Sequence, residues 1–261
     1  MRENRVRTIW AAGGAVINGW CAIPSSFSAE LMAHLDWDSL AIDTQHGLID
    51  YQVMVTMLQG ISTTAVTPMV RVAWNDPAAI MKALDAGAYG IICPMVNGRE
   101  ECERFVGACR YAPRGYRSSG PTRAVLYGGA DYAAKANDTV VALAMIETRE
   151  ALDDLDAILS TPELDGAYIG PSDLSVSLGL KPGLDRDEDR VTEAIRAVLD
   201  GCRRHRVRAA IHTGSTAYAK RMIALGFDLV TVLGDARLMM LAGTQAMAEM
   251  RAALRPPASP S

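Results

Sequence analysis

The chain has 261 residues, 49% hydrophobic and 21% charged, enough to bury a sizeable core as one large domain or two small ones. Its net charge of −4 gives no electrostatic case for nucleic acid or an anionic membrane, and no apolar stretch approaches a membrane span. Five scattered cysteines (Cys21, Cys93, Cys102, Cys109 and Cys202) contain no C-x-x-C pair, which argues for reduced thiols in a cytoplasmic protein.

In chain order, the first dozen residues look loose. Arg2, Arg5 and Arg7 before the apolar run 9–17 imitate a signal peptide, but Asn18, the glycines and Trp20 break the run and no cleavage site follows. A first strand is predicted at 18–23, stopped by Pro24, then a helix over 29–35 capped by Ser28. A second strand at 39–42 ends in Asp43-Thr44-Gln45-His46-Gly47, and a helix follows at 51–59. The third strand, 65–70, ends at Arg71, and Asn75-Asp76-Pro77 opens a helix that runs to Gly87. The fourth strand is 89–93, and a helix covers 98–109. Residues 110–138, rich in Gly, Ser, Pro, Arg and Tyr, read as a long irregular segment, too long for an idle connection and so functional or at an interface. Strand five, 140–146, ends at Glu147; a helix spans 149–159; strand six, 166–169, ends in Gly170-Pro171-Ser172-Asp173. A charged loop, 181–189, and a helix, 190–204, precede strand seven at 207–211, which ends in His212. Ser215 caps a helix to Leu225, strand eight is 228–232, the last helix is 235–254, and 255–261 reads as a disordered Pro/Ser tail.

Short, continuously apolar strands separated by helices mark a parallel sheet covered on both faces. Eight such units in one chain of this length fit an α/β fold of the (β/α)8 TIM-barrel type, a single catalytic domain over 1–254. A doubly wound sheet is the alternative, but Ala11-Ala12-Gly13-Gly14 precedes the first strand instead of following it, and no dinucleotide turn is present.

In a barrel, residues at the carboxyl ends of the strands share one mouth. Those residues are Asp43, His46, Arg71, Glu147, Asp173 and His212. Each has an ordinary structural use: Asp173 as a helix cap, Glu147 as a first-turn acid, a lone histidine as a strand terminator. Together they define a site. Two carboxylates make an incomplete oxygen site suited to Mg²⁺ or Mn²⁺ completed by water and substrate, whereas a zinc hydrolase would want more His or Cys. Arg71 can neutralise enolate charge, His46 oriented by Asp43 can move a proton, and N–H groups after Gly170-Pro171 can hold a carboxylate. None of Lys82, Lys135, Lys181 and Lys220 ends a predicted strand, so a Schiff-base aldolase is disfavoured.

Four blocks then resemble the HpcH/HpaI family of class II, metal-dependent pyruvate aldolases: Asp43-Thr44-Gln45-His46-Gly47, Val70-Arg71-Val72-Ala73-Trp74-Asn75-Asp76-Pro77, Ile146-Glu147-Thr148-Arg149-Glu150-Ala151 and Ile169-Gly170-Pro171-Ser172-Asp173-Leu174-Ser175. Arg110-Tyr111-Ala112-Pro113-Arg114-Gly115-Tyr116-Arg117 is similar to the family's arginine-bearing loop. The resemblance runs from about Asn18 to Met250 and implies an aldehyde-lyase that reversibly splits a 4-hydroxy-2-oxo acid into pyruvate and an aldehyde through a metal-stabilised enolate. It implies Glu147 and Asp173 as ligands of a divalent ion (Mg²⁺ or Mn²⁺, with Co²⁺ a third choice) and Arg71 on the keto oxygen. His46 becomes the proton-transfer residue with Asp43 its acidic partner, and the Ser172 and Asp173 amides hold the carboxylate. It further implies a homo-hexamer, a trimer of dimers that exchange the C-terminal helix, with Asp85 near a neighbour's site.

The chain departs from the family in three places: Gln45 where Glu is frequent, Met145 where Gln is frequent, and His212 where some members carry an apolar residue. Met145 makes the mouth more apolar; His212 either contacts substrate or terminates strand seven. The acceptor aldehyde is expected to be set by Met145, the 110–138 segment and a neighbouring chain. A malyl- or citramalyl-thioester lyase, with arginines of 110–123 holding coenzyme A phosphates, an oxaloacetate decarboxylase and a non-catalytic oxo-acid-binding barrel are the alternative functions.

Overall fold

The structure is a computed structural model that describes residues 1–254; the expected tail, 255–261, lies outside the described residues. Eight parallel strands close on themselves in sequence order: β1 (Val16–Cys21), β2 (Ser39–Asp43), β3 (Thr67–Arg71), β4 (Gly90–Cys93), β5 (Val141–Ile146), β6 (Gly166–Ile169), β7 (Arg208–His212) and β8 (Leu229–Gly234). The seam pairs Val16 with Leu229 and Asn18 with Thr231, and the register shifts before Trp20 meets Gly234.

Helices surround this barrel because each strand's outward residues are apolar and need cover. They are α1 (Arg5–Ala11), α2 (Ser26–Ala33), α3 (Tyr51–Ile61), α4 (Pro77–Asp85), α5 (Arg99–Cys109), α6 (Thr122–Gly128), α7 (Tyr132–Thr139), α8 (Arg149–Asp153), α9 (Leu155–Leu159), α10 (Pro171–Ser177), α11 (Asp189–His205), α12 (Thr216–Leu225) and α13 (Asp235–Ala253). Several start on side-chain caps, among them Asp50, Asp76, Thr148 and Ser215, and α2 is capped by Ser25 in place of the expected Ser28, which lies inside the helix and donates its amide to the Ser25 hydroxyl. None is long and apolar enough to cross a membrane, among the described residues. All five cysteines are buried and free.

Strand periodicity sorts the side chains. Ala142, Ala144 and Ile146 face the helices, whereas Val141, Leu143 and Met145 fill the barrel with Ala41, Met69, Tyr168, Ala210 and Leu229. The inward phase carried to the strand ends delivers Trp20, Asp43, Arg71, Met145 and His212 to the mouth.

Four other sequence expectations change. The first dozen residues are not loose: α1 closes the other end of the barrel with Val6 and Trp10, and the Trp10 indole donates to the Asp228 carbonyl (2.8 Å). Two apolar residues four apart are too few to announce a helix by periodicity. The first strand lies two residues earlier than expected. The predicted helix 149–159 breaks at Asp154 into α8 and α9.

The 110–138 segment holds two helices, α6 and α7, whose Ala124, Tyr132 and Ala136 pack on Tyr89 and Tyr111. It sits at the end opposite the mouth, as Tyr89 precedes β4 and the Arg2 amide donates to the Gly128 carbonyl (2.7 Å). Its arginines are spent on structure: Arg110 pairs with Asp165 (2.7 Å), Arg114 with Glu163 and Arg117 with Asp85 (2.7 Å), and Arg123 donates to the Ala86 carbonyl. Within this chain the segment therefore does not shape the mouth.

The root of α13 is held at the mouth side. Asp235 accepts from the Ala22 and Ile23 amides (2.9 and 3.1 Å) and the Ser28 hydroxyl (3.2 Å). Beyond this root, Met239, Met240, Leu241, Met247 and Met250 are exposed.

Trp10→Ala removes the plug's largest buried side chain, and a loss of about 3–5 kcal/mol is expected. Urea unfolding of the purified variant should show it as a lower midpoint, with KM unchanged because Trp10 is at the far end from the mouth.

Candidate active site

Asp43 and Arg71 are adjacent inward residues at the ends of neighbouring strands, paired in the β2–β3 register. Arg71 grips the Asp43 carboxylate with two bonds, Nε to Oδ1 (2.9 Å) and Nη2 to Oδ2 (2.6 Å). Both side chains are buried, so the pair feels little screening and its fork geometry is strongly directional. The Trp20 indole donates to Asp43 Oδ2 (3.3 Å), and the guanidinium lies 4.8 Å from the Trp20 ring centroid. Burial works against the Asp43 charge, but the Arg71 bonds and charge, with the His46 and Gln45 amides, hold its carboxyl below the usual range. Arg71 Nη1 has no protein partner among the described residues, and Arg71 lines the mouth cavity.

His46 follows β2 in a tight turn. Asp43 Oδ1 accepts from the Gln45 and His46 amides (3.0 and 3.2 Å). Gly47 permits the turn, because a Cβ there would lie 2.2 Å from the Asp43 carbonyl oxygen. Asp43 thus orients His46 through the backbone, while its carboxylate is taken by Arg71. The expected acid–imidazole partnership is replaced by this indirect one. The exposed His46 ring has no protein partner among the described residues and lines the cavity.

Glu147 is 2% exposed. Its Oε1 accepts from the Met95 amide (2.8 Å), which the turn after β4 presents with Met95 in the left-handed region at φ 54°. Gly170 makes room on the other side: a Cβ there would stand 2.4 Å from Glu147 Oε2 and 3.0 Å from Met145 Cε. Burial, reinforced by the nearby Asp173 charge and opposed by the Met95 amide, pushes the Glu147 carboxyl up to about 7. Asp173 is in the first turn of α10 and exposed. Gly170 holds the N-cap position of α10, so Asp173 is a first-turn acid and not its cap, and Glu147 lies before the Thr148 cap, outside α8.

These residues surround a cavity of about 340 Å³ lined by Trp20, His46, Arg71, Met145, Gly170, Pro171, Ser172, Asp173, Leu184 and His212. His212 ends β7 pointing inward, its Nδ1 2.9 Å from the Tyr168 hydroxyl. All four lysines are exposed and none lines the cavity. Asp85 is elsewhere, at the C-terminal end of α4, where it meets Arg117. Sequence reasoning missed Trp20, Tyr168, the Met95 amide and Gly170. Counting inward phase along β1 and β6 would have found the two aromatics; the amide and the glycine depend on a turn and a close approach that have no periodic signal.

The donor set fits a hard divalent cation. Among the described residues Glu147 Oε2 accepts no protein hydrogen bond, and the Asp173 charge raises the Glu147 pKa. A cation held by the two carboxylates would remove that conflict. No group of three His, Cys, Asp or Glu residues is assembled among the described residues, so the remaining positions would fall to water and substrate oxygens.

The fold and the mouth define a class, a TIM-barrel enzyme with its acids, arginine and histidine at the carboxyl ends of the strands. The family follows from comparison with known proteins. Residues 20–234 match the HpcH/HpaI aldolase/citrate lyase family, and the chain belongs to it. It is 45% identical to a hydroxypyruvate/pyruvate aldolase of Rhizorhabdus wittichii, over 95% of this chain and 99% of that protein. A 4-hydroxy-2-oxo-heptane-1,7-dioate aldolase of Escherichia coli is 37% identical over 91% of both chains. A crystal structure of a family member from Burkholderia cenocepacia superposes with a TM-score of 0.87 at 29% identity, covering 95% of this chain and 99% of that one.

The raised Glu147 pKa has a signed consequence for metal-free protein. The folded form holds the proton more tightly than the unfolded form, so this group's contribution to stability falls as pH rises from about 4.5 to about 7. Glu147→Gln should therefore be more stable than wild type by about 3 kcal/mol above pH 7, with the gap closing below pH 4.5. Thermal melts in EDTA across pH 4–8 check this. Adding Mn²⁺ at pH 8 should raise the wild-type Tm and leave the variant's unmoved.

Proposed function

We propose that this protein is a class II aldolase that cleaves a 4-hydroxy-2-oxo acid to pyruvate and an aldehyde, and catalyses the reverse addition. The observation that carries the reading is the convergence of Arg71, His46 and Asp173 on one cavity, with Glu147 buried directly behind its Gly170 wall and close enough to feel the Asp173 charge. Membership of the family and the names of its relatives support it.

The substrate carboxylate sits against the Ser172 and Asp173 amides, which the first turn of α10 leaves without intrahelical partners. Arg71, held rigid by Asp43 and Trp20, points Nη1 at the 2-oxo oxygen. Glu147 and Asp173 would hold a divalent cation there, which when bound supplies Lewis-acid polarisation of the oxo group. His46 takes the 4-hydroxyl proton, directly or through one water. The C3–C4 bond breaks, C4 leaves as the aldehyde, and the bonding pair passes into the C2–C3 enolate. Arg71 stabilises the enolate oxygen until a proton returns to C3 as pyruvate forms. Met145 and His212 form the wall beside the departing aldehyde. A coenzyme A thioester is not favoured, since the arginines of 110–123 are committed to contacts at the far end of the barrel.

The assembly we propose is a homo-hexamer built from helix-exchanging dimers. The exposed methionines of α13 support exchange, and Asp85 belongs to a surface away from its own mouth. The reduced cysteines suit the cytoplasm.

Exchange of pyruvate methyl protons in deuterated water, with Mg²⁺ or Mn²⁺, tests the enolate step without knowledge of the aldehyde. Wild type should exchange and EDTA should stop it. Glu147→Gln and Asp173→Asn should lose metal-dependent exchange, and His46→Ala should lower aldol cleavage by about 10²–10⁴-fold. Full turnover in both acid variants, insensitive to EDTA, would sink the mechanism.

A further inference from the structure

Behind His212 lies a chain of buried polar groups that the mechanism does not use. Ser39 Oγ donates to Asn18 Oδ1 (2.7 Å), and Asn18 Nδ2 donates to Thr231 Oγ1 (2.8 Å). The Tyr168 hydroxyl donates to the same Thr231 oxygen (2.7 Å) and is 2.9 Å from His212 Nδ1. Ser39, Asn18, Thr231 and Tyr168 are buried inside the barrel. Once Tyr168 gives its only proton to Thr231, its oxygen can only accept. In that arrangement the imidazole proton sits on Nδ1, and Nε2 is left as an acceptor.

Nε2 has no protein partner among the described residues, and His212 is part of the cavity wall. The Trp20 ring meets the imidazole edge-on at 4.8 Å and helps fix its plane. Burial first, and the neighbouring Arg71 charge second, push His212 down to about 4, so it stays neutral at working pH. The cavity wall it shares has Trp20, Met145 and Leu184 as its apolar members, and the ionisable side chains of Arg71, His46 and Asp173 also line it. A neutral, open acceptor in this wall matches a hydroxyl donor.

We propose that His212, positioned by Tyr168, accepts a hydrogen bond from a substrate hydroxyl, carried either on the bond-forming C3 of the nucleophile or on the carbon next to the reacting carbonyl of the electrophile, so that the enzyme selects hydroxylated substrates over their deoxy counterparts. The proposal rests on the aldolase reading. The hydroxyl has two possible sources: the nucleophile, as in 3-hydroxypyruvate against pyruvate, or the electrophile, as in glycolaldehyde against the near-isosteric propanal.

The experiment measures kcat/KM for both pairs in wild type, His212→Leu, His212→Gln and Tyr168→Phe, with pyruvate proton exchange in wild type as the control. In wild type one pair should favour the hydroxylated member by about tenfold, the worth of one neutral hydrogen bond, and the pair that responds identifies the source. In His212→Leu the ratio should fall towards one, because only the hydroxylated substrate loses a partner. His212→Gln keeps an acceptor oxygen and should keep part of the preference. Tyr168→Phe should lower the ratio as well, whereas a purely structural role would depress both members of a pair alike. In ¹⁵N spectra of histidine-labelled protein, His212 Nε2 should be unprotonated, with the signal absent from His212→Leu. Wild-type exchange together with an unchanged ratio in His212→Leu, or a protonated Nε2, overturns this proposal alone. No exchange in wild type overturns the aldolase reading and the proposal with it.

Discussion

The bidentate pair between Arg71 and Asp43 is the constraint on which the mouth depends. It closes at the ends of two hydrogen-bonded strands, in a place where neither charge can be left without the other. The Nε/Nη2 edge of the guanidinium is used by the pair and the group lies over the Trp20 ring, so the Nη1 end is aimed. The same carboxylate gathers the two amides that lead to His46. One acid therefore sets the direction of the arginine and the path of the histidine turn. Substitution at Asp43 would leave a buried, unpaired guanidinium as well as a freed turn, which makes this residue a positioning group for two others.

The two inward acids at the mouth are in opposite electrostatic states. Asp43 has its counter-charge built in and is held below the usual carboxylate range; Glu147 has only one backbone amide and a neighbouring negative charge, and is pushed up. Without a cation the mouth is balanced on one side and short of positive charge on the other. In the proposed reaction that asymmetry would separate the work of holding the enolate oxygen, which would fall to a fixed side chain, from the work of polarising the oxo group, which would fall to an exchangeable ion. His212 adds a third condition, a neutral ring between these charged groups, because a buried cation beside Arg71 is unfavourable.

The barrel was readable in the sequence because apolar strands alternate with helical segments, and the strand ends could be marked to within about two residues. His46, Arg71, Glu147 and Asp173 stood out because each is a polar residue directly after an apolar run. What could not be read lacks a periodic signal. Val6 and Trp10 are one turn of one face, too short to distinguish α1 from a loose end. The helices in 110–138 are hidden by Gly128 and Gly129, and their place beneath the barrel depends on long-range ion pairs such as Arg110–Asp165 and Arg117–Asp85. The Asp43 carboxylate could reach either His46 or Arg71, and only the strand register decides in favour of the arginine.

The attachment of α13 has a mechanical consequence. A helix of 19 residues is about 28 Å long, and its root is stapled by Asp235 to the two amides directly after Cys21. It acts as a lever whose fulcrum lies next to Trp20, the residue that touches Asp43, Arg71 and His212. Any load taken up along the helix is delivered at that fulcrum, through a buried carboxylate that cannot slip without exposing two amides.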